Sequence, residues 1–136
     1  MKIGFIGLGI MGKPMAKNLL KAGYTDLMVN NHSQAAVQEL QAAGATGATQ
    51  QEIGAQCDVV ITMLPNSPQV KEVMLGDNGV AAHMKPGAVF IDCSSINPVA
   101  SKEIYAELQN KGVEMLDAPV SGGEPKAIDG TLSFMV

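Results

Sequence analysis

Lys2-Ile3-Gly4-Phe5-Ile6-Gly7-Leu8-Gly9-Ile10-Met11-Gly12 is the stretch that decides the fold of this chain. Its apolar start predicts a short buried strand, and the glycines then follow the pattern G-x-G-x-x-G before an amphipathic helix. In that setting Gly7 allows a tight turn, Gly9 lets the backbone approach a pyrophosphate, and Gly12 lets helix and strand pack closely. The pyrophosphate would lie on free N–H groups at the positive end of the helix dipole. The stretch therefore predicts a dinucleotide site; the alternative is a tight turn that binds no ligand.

Composition limits the classes of protein to consider. The chain has 136 residues and a formal net charge of −4, and 46% of its residues are hydrophobic and 16% charged. This length fits one globular domain, and the acidic balance leaves no broad basic surface, so a nucleic-acid partner is not expected. No apolar stretch approaches the roughly 18 residues of a membrane span, and no signal peptide is recognisable. We therefore expect a cytoplasmic protein without a membrane partner.

The cysteines and histidines give no sign of a metal or redox site. Cys57 and Cys93 lack C-x-x-C spacing, and neither His32 nor His83 has a second ligand three or four residues away. We predict that both cysteines are small buried hydrophobic residues and that no metal is bound.

Strand and helix patterns alternate along the rest of the chain. A helix is predicted over 11–22, and apolar runs predict further strands at 26–30, 45–48, 58–64, 88–92, 113–117 and 131–136. Helices are predicted between them, beginning near Ser33, Thr49, Pro68 and Pro98, whereas 124–130 reads as a short polar segment. This alternation predicts an α/β fold with a doubly wound, mainly parallel sheet and helices on both faces.

Ligands of such sheets bind beyond the carboxyl ends of the strands, near the point where the strand order reverses. The loops that follow the strands are therefore expected to converge on one crevice; they are 7–12, 30–33, 64–68, 93–97 and 119–123.

The end of the second strand bears on the choice between NAD and NADP. An acid there bonds the ribose 2′-hydroxyl and would repel a 2′-phosphate, but this chain has Asn30-Asn31-His32-Ser33. The absence of the acid favours NADP, while the absence of an Arg weakens that preference. We expect NADP or NAD as cofactor, with NADP slightly favoured.

Polar residues after two later strands are further candidates. Ser94, Ser95 and Asn97 lie where a nicotinamide or its ribose could bind, or cap the helix that begins near Pro98. We assign capping to Asn97 and a ligand role to Ser95. Ser121-Gly122-Gly123 offers backbone N–H groups and a hydroxyl to a carboxylate, or forms only a flexible turn.

Three segments together resemble one family. Residues 4–19, Met-Leu-Pro-Asn-Ser-Pro at 63–68 and Asp-Ala-Pro-Val-Ser-Gly-Gly-Glu-Pro-Lys-Ala-Ile-Asp-Gly-Thr-Leu at 117–132 are similar to the β-hydroxyacid dehydrogenases, in the family's order. The last segment is most similar to the branch that reduces 2-hydroxy-3-oxopropanoate to glycerate. The resemblance covers essentially the whole chain and implies a Rossmann-type NAD(P)-binding domain over 1–136, acting on a small hydroxy acid or semialdehyde.

The resemblance also implies which residues bind. NAD(P) would bind over residues 4–18, with contacts near Leu64, Pro65 and Ser95, whereas residues 30–33 depart from the patterns common in the family. Together with the motif and strand-end arguments above, the predicted cofactor contacts are Gly7, Leu8, Gly9, Ile10, Met11, Gly12, Asn30, Asn31, His32, Met63, Leu64, Pro65 and Ser95. A substrate carboxylate would be held at Ser121, Gly122 and Gly123.

Members of the family continue into an all-helical domain that supplies a catalytic Lys and a nearby Asn and usually builds the dimer. The resemblance therefore implies a catalytic Lys beyond Val136, and a homo-oligomer for the longer protein. We expect Lys126 to be a surface lysine and this chain to bind dinucleotide without appreciable turnover. Other activities of the family, namely those of 3-hydroxyisobutyrate dehydrogenase and of glyoxylate or succinic semialdehyde reductases, stay open, as does a non-catalytic dinucleotide-binding module.

Overall fold

The computed structural model describes residues 1–77, 79–94, 96–121, 123–130 and 132–134. Strands and helices alternate through them as β1 (Ile3–Ile6), α1 (Gly12–Lys21), β2 (Leu27–Asn30), α2 (Gln34–Ala42), β3 (Thr46–Gly47), α3 (Gln50–Gln56), β4 (Val59–Thr62), α4 (Ser67–Leu75), β5 (Val89–Asp92), α5 (Pro98–Gln109), β6 (Glu114–Asp117), β7 (Val120–Ser121), α6 (Gly123–Asp129) and β8 (Ser133–Phe134). A short 3-10 helix, Val80–His83, precedes β5. Within these ranges we find no helix with the length and apolar character needed to traverse a bilayer.

β1 lies at the centre of a parallel sheet whose strand order is β3-β2-β1-β4-β5-β6. Ile3 is opposite Leu27 of β2 on one side and Val59 of β4 on the other. β7 and β8 form a separate antiparallel pair. The order reverses between β1 and β4, where a ligand crevice is expected in this class of sheet. The predicted Rossmann-type fold is confirmed.

The core has two clusters, one on each face of the sheet. Phe5 belongs to the cluster that includes Leu40 of α2, whereas Ile6 belongs to the cluster that includes Phe90 and Ile104. Consecutive strand residues point to opposite faces, so one strand supplies both clusters. All four residues of β1 are buried, which explains why its sequence is apolar without interruption.

Helix ends follow the predicted signals in most places. Asn97 accepts a hydrogen bond from the Val99 N–H at 2.7 Å, which confirms its capping role. Thr49 and Glu52 form a reciprocal capping box at the start of α3. Ser33 precedes α2 as predicted, but its side chain makes no capping hydrogen bond, so that part of the prediction was wrong.

The prediction of a short polar segment over 124–130 was also wrong, because Gly123–Asp129 form helix α6. Its one buried residue, Ala127, faces α1, and the Asn18 side chain of α1 donates to the Ala127 carbonyl at 2.7 Å. A single small apolar residue in seven gives too weak a periodicity to indicate a helix from sequence. Of the last predicted strand, Thr131, Met135 and Val136 lie outside the described residues.

The two cysteines are buried free thiols, as predicted. Burial raises the pKa of Cys57 to about 11 and the pKa of Cys93 to about 12. Both thiols are therefore protonated at neutral pH and poorly reactive. Among the residues that the structure describes, no three His, Cys, Asp or Glu side chains are grouped so as to hold a metal ion.

Candidate functional site

A cleft of about 850 Å³ opens at the carboxyl ends of β1, β2 and β4. Its walls include three of the loops that were expected to converge. These are residues 7–12, which we call the glycine turn, the end of β2 and the segment after β4. The predicted cofactor residues that line it are Gly7, Gly9, Ile10, Met11, Gly12, Asn30, Asn31, His32, Met63, Leu64 and Pro65. The volume is within the range of small-molecule and cofactor sites.

Of the other predicted site residues that the structure describes, Leu8, Ser121 and Gly123 do not line the cleft. The Leu8 side chain is buried and borders a second groove beside α1. Ser95 and Gly122 lie outside the described residues. Ser121 lies in β7, and Gly123 begins α6 with φ of +68°. Among the described residues, the structure thus brings together the cofactor candidates on β1, β2 and β4, whereas Ser121 and Gly123 lie outside that cleft.

One wall of the cleft was not indicated by the sequence pattern. It consists of Gln50 at the start of α3, Gln69, Glu72 and Val73 on α4, and Asp77 after α4. Gln69, Glu72 and Val73 are three and four residues apart, so they share one face of the helix. That spacing is visible in the sequence, but nothing there tells which helix face looks toward the glycine turn. Glu72 and Asp77 are acidic, and no Lys or Arg is among the described cleft residues.

Two of the three motif glycines are required by the fold itself. Gly7 has φ of +102°, and a Cβ there would overlap the Met63 carbonyl oxygen and lie 3.0 Å from Leu64 Cδ2. A Cβ on Gly12 would overlap the Gly7 carbonyl oxygen and lie 3.3 Å from Phe5 Cε1. Gly7 therefore keeps the turn tight against the segment after β4, and Gly12 keeps α1 tight against β1.

Among the described residues, neither backbone conformation nor packing requires a glycine at position 9. Its φ is outside the left-handed region that favours glycine, and a Cβ there would meet no atom within 4 Å. The N–H groups of Gly9, Ile10 and Met11 donate to no acceptor in the described part of the chain, and they lie beside the N-terminus of the ten-residue helix α1. This arrangement leaves open space and free donors where an anion is favoured.

The two asparagines at the end of β2 hold neighbouring loops together. Asn31 Oδ1 accepts a hydrogen bond from the Leu8 N–H at 2.9 Å, and Asn31 Nδ2 donates to the Ser33 carbonyl. Asn30 Nδ2 donates to the Ala48 carbonyl at 2.8 Å. An amide both donates and accepts, which a carboxylate cannot do, so the Asn-Asn pair has a structural reason at this position.

Three polar side chains lie buried beneath the segment that follows β4. Thr62, Asp92 and Ser94 are each fully buried. Asp92 Oδ1 accepts from Thr62 Oγ1 at 2.9 Å and from the Ser94 N–H at 3.0 Å, while Ser94 Oγ accepts from the Leu64 N–H at 2.8 Å. Asp92 Oδ2 has no partner among the described residues. We call these three residues the Thr62–Asp92–Ser94 cluster.

This cluster was not predicted. The sequence pattern predicts only a strand end at Asp92 and a helix cap or ligand contact at Ser94. The available signal was a polar residue within the apolar run 58–64, Thr62, and another at the end of the run 88–92, Asp92. This signal could not predict a contact between Thr62 and Asp92, because the sequence pattern does not determine which strands are neighbours in the sheet.

The buried carboxyl predicts a pH dependence of stability. Burial raises the pKa of Asp92 above its ordinary value of 3.8, and hydrogen bonds from Ser94 and Thr62 oppose the rise only in part. The folded state then binds the proton more tightly than the unfolded state. The free energy of unfolding therefore falls as pH rises from 3.8 to the raised pKa and receives no further change from this group above it.

We expect Asp92→Asn to remove that fall, because asparagine does not titrate. The free energy of unfolding of the variant minus that of wild type should therefore increase with pH across this window. Urea unfolding from about pH 4 to about pH 8 measures it. Asp26→Asn is the matched control, because Asp26 is an exposed acid outside this cluster, whereas the charge of Asp117, opposite Asp92 on β6, itself raises the pKa of Asp92. Parallel stability profiles for wild type and Asp92→Asn would contradict the prediction.

Comparisons with known proteins agree with this geometry. Residues 2–136 match the family model described as the NAD binding domain of 6-phosphogluconate dehydrogenase. The chain is 51% identical over 136 residues to the NAD-dependent L-serine dehydrogenase of Pseudomonas aeruginosa, covering 99% of the chain and 45% of that protein. It is 43% identical over 136 residues to the 2-hydroxy-3-oxopropionate reductase of Escherichia coli, covering 100% of the chain and 46% of that protein.

A solved structure of Mycobacterium tuberculosis 3-hydroxyisobutyrate dehydrogenase with L-serine is also similar. It has a TM-score of 0.90 and 38% identity, over 98% of this chain and 45% of that one. The chain thus spans less than half the length of these relatives.

Proposed function

Because this chain belongs to the family of NAD-binding domains represented by that of 6-phosphogluconate dehydrogenase, we propose that it binds NAD or NADP in the cleft beside the glycine turn. The observation that carries the proposal is Gly9, a glycine that neither backbone conformation nor packing explains among the described residues. A pyrophosphate that approaches the backbone at this position explains it. The function is therefore that of the NAD(P)-binding domain of a β-hydroxyacid dehydrogenase.

The residues of the cleft fit the parts of a dinucleotide. In our proposal the pyrophosphate lies on the N–H groups of Gly9, Ile10 and Met11, where the α1 dipole favours an anion. The ribose next to the adenine lies at the end of β2, toward Asn31 and His32. The other cofactor contacts in this proposal are Gly7, Leu8, Gly12, Asn30, Met63, Leu64, Pro65 and Ser95.

When bound, the nicotinamide donates or accepts the hydride, and the protein orients the reacting groups. The apolar cleft residues Ile10, Leu64 and Pro65 are proposed to cover part of the bound cofactor. Ser121 and the backbone of Gly122 and Gly123 are proposed to hold the substrate carboxylate. The group that moves the hydroxyl proton is proposed to be a Lys in the part of the relatives that this chain does not match; the exposed Lys126 on α6 has no place in this proposal.

For the complete protein we propose reduction of 2-hydroxy-3-oxopropanoate to glycerate. Oxidation of L-serine is the second candidate, because a relative 51% identical to this chain is named for that activity. Glycerate and L-serine share a carboxylate and a hydroxymethyl group and differ only at C2, which carries a hydroxyl in one and an ammonium in the other. In both oxidations C3 loses a hydride to the cofactor and its hydroxyl loses a proton.

A longer protein that contains this chain would separate the candidates. The value of kcat/KM should be higher for glycerate oxidation than for L-serine, 3-hydroxyisobutyrate or 4-hydroxybutyrate oxidation. A higher value for L-serine would replace our first candidate by the second, and no turnover with any of them would favour a non-catalytic dinucleotide-binding module. Assembly of the longer protein into a homo-oligomer is part of the proposal, and its mass in solution tests it.

Titration of this chain with NADH and NADPH, followed by nicotinamide fluorescence, tests the binding proposal. We expect saturable binding in the range of about 1 μM to 1 mM, where cofactor and substrate constants commonly lie. We also expect no appreciable oxidation of NADH or NADPH by the chain with an aldehyde substrate. Absence of saturation by either cofactor up to about 1 mM would refute the proposal.

The choice between NADP and NAD depends on charge in the cleft. The slight preference for NADP stays a prediction, based on the absence of an acid at the end of β2. Glu72 and Asp77 place two carboxylates in the same cleft, and the chain contains no Arg to pair a 2′-phosphate. These charges oppose the binding of NADP more than that of NAD.

We expect the double variant Glu72→Gln/Asp77→Asn to raise NADPH affinity relative to NADH affinity by about 3- to 10-fold at low salt, since it removes two repulsive charges. The dissociation constants of both cofactors, measured at low and high salt, check this. Glu107→Gln is the matched control, because Glu107 is an exposed acid on α5 that does not line the described cleft. An equal change for both cofactors would contradict the prediction.

A further inference from the structure

The Thr62–Asp92–Ser94 cluster is costly for the fold. Burying a hydroxyl or a carboxyl away from water disfavours folding unless each group is hydrogen-bonded, and Asp92 Oδ2 has no partner among the described residues. The neighbouring strand positions are apolar, including the fully buried Val60 and Phe90. Core packing would be satisfied by apolar side chains at these three positions. The presence of polar side chains there therefore needs an explanation other than packing.

The cluster contacts the wall of the cofactor cleft. Ser94 Oγ accepts a hydrogen bond from the Leu64 N–H at 2.8 Å, and Leu64 lines the cleft. The segment containing Leu64 also touches the glycine turn, because the Met63 carbonyl and Leu64 Cδ2 are the atoms that leave no room for a side chain on Gly7. A shift of this segment would therefore change both the cleft wall and the support of the turn.

Hydrogen bonds join the segments that follow two adjacent strands, β4 and β5. The loop after β5 reaches the loop after β4 through Ser94 and Leu64, and a second tie runs from the Asn97 N–H to Ser67 Oγ at 2.9 Å. Asp92 lies at the base of the first tie. Its Oδ1 accepts the Ser94 N–H at 3.0 Å and so fixes the turn that carries the Ser94 hydroxyl, while Thr62 Oγ1 fixes the carboxyl from β4.

We propose that Asp92 is a positioning residue for the cofactor cleft, which acts by orienting Ser94 so that its hydroxyl holds the Leu64 amide and the wall formed by Met63–Pro65. This inference rests on the proposed function, because the wall matters for activity only where a dinucleotide binds. Asp92 does not touch the cofactor. In this proposal its effect reaches the cleft through the hydrogen bond from the Leu64 N–H to Ser94 Oγ.

The test compares Ser94→Ala, Asp92→Ala and the double variant, with two measurements on each. One is the dissociation constant of NADH, and the other is the hydrogen exchange rate of the Leu64 amide measured by NMR without cofactor. Each single variant is expected to weaken NADH binding about 5- to 20-fold and to speed Leu64 exchange. The double variant should be no worse than the weaker-binding single variant, because both changes remove the same support.

Asp92→Asn keeps an oxygen that can accept from Thr62 and Ser94, so it should bind NADH within about 2-fold of wild type. Asp117→Asn, opposite Asp92 on β6, should behave as wild type in both measurements. Should Asp92→Ala fail to fold, Ser94→Ala and Asp92→Asn still decide the matter, since Ser94→Ala removes a single oxygen.

Wild-type NADH affinity in Ser94→Ala would overturn the inference, as would additive effects of the two alanine substitutions. A merely structural role would lower the free energy of unfolding without a specific change at Leu64. If wild type itself does not bind NADH, the proposed function fails, and Leu64 exchange in Ser94→Ala and Asp92→Ala then supports or refutes the positioning role by itself.

Discussion

Gly12→Ala is expected to abolish dinucleotide binding and to lower the free energy of unfolding by about 3 kcal/mol or more. An added Cβ would overlap the Gly7 carbonyl oxygen and lie 2.9 Å from the Gly7 carbonyl carbon and 3.3 Å from Phe5 Cε1. Two of these atoms are backbone, so no rotamer change relieves the clash. The higher helix propensity of alanine, worth about 1 kcal/mol, acts in the opposite direction and is too small to compensate.

Urea unfolding and NADH titration measure the two losses. Gly23→Ala is the matched control, since Gly23 follows the C-terminal end of the same helix, α1. Its φ is +98° with no atom within 4 Å of an added Cβ, so alanine there should cost about 1 kcal/mol in backbone strain and leave NADH binding unchanged. Wild-type stability in Gly12→Ala would show that α1 and β1 need not pack this closely.

The central part of the fold could be predicted because local and global requirements agree there. β1 is apolar throughout since both of its faces are covered, and Gly7 and Gly12 are glycines because any side chain would collide with neighbouring backbone. Both requirements are visible in the sequence, the first as an uninterrupted apolar run and the second as the glycine motif. The position of the cleft followed from the motif and the alternation of strands and helices.

The rest depends on tertiary contacts that leave little mark in the sequence. Glu72 and Val73 face the cleft because of how α4 is rotated, which the helix period alone does not determine. Asp92 meets Thr62 because β4 and β5 are neighbours in register, with these two residues directly opposite each other. Helix α6 has one buried residue, Ala127, and forms against α1 rather than by its own amphipathic pattern.

Gly9 separates a structural reason for glycine from a functional one, and Gly9→Ala makes the separation measurable. An added Cβ meets nothing within 4 Å and the backbone is not left-handed, so the free energy of unfolding should stay within about 1 kcal/mol of wild type, or rise slightly because alanine restricts the unfolded chain. The same methyl group would occupy the space in which a pyrophosphate approaches the N–H groups of residues 9–11.

Loss of one or two charge-assisted hydrogen bonds to that pyrophosphate predicts about 10- to 100-fold weaker binding of NADH. NADPH should weaken by the same factor, because the two cofactors share the pyrophosphate and differ only at the 2′ position. Saturating NADH should correspondingly raise the unfolding temperature of wild type and raise it much less for Gly9→Ala. If Gly9→Ala bound NADH as wild type does, glycine at this position would have no ligand-based reason, and the observation that carries the proposed function would be lost. The free energy of unfolding of Gly9→Ala measured without cofactor gives a second check. A loss as large as that of Gly12→Ala would show that the fold itself requires glycine at position 9, because only the protein's own atoms could then clash with the added methyl group.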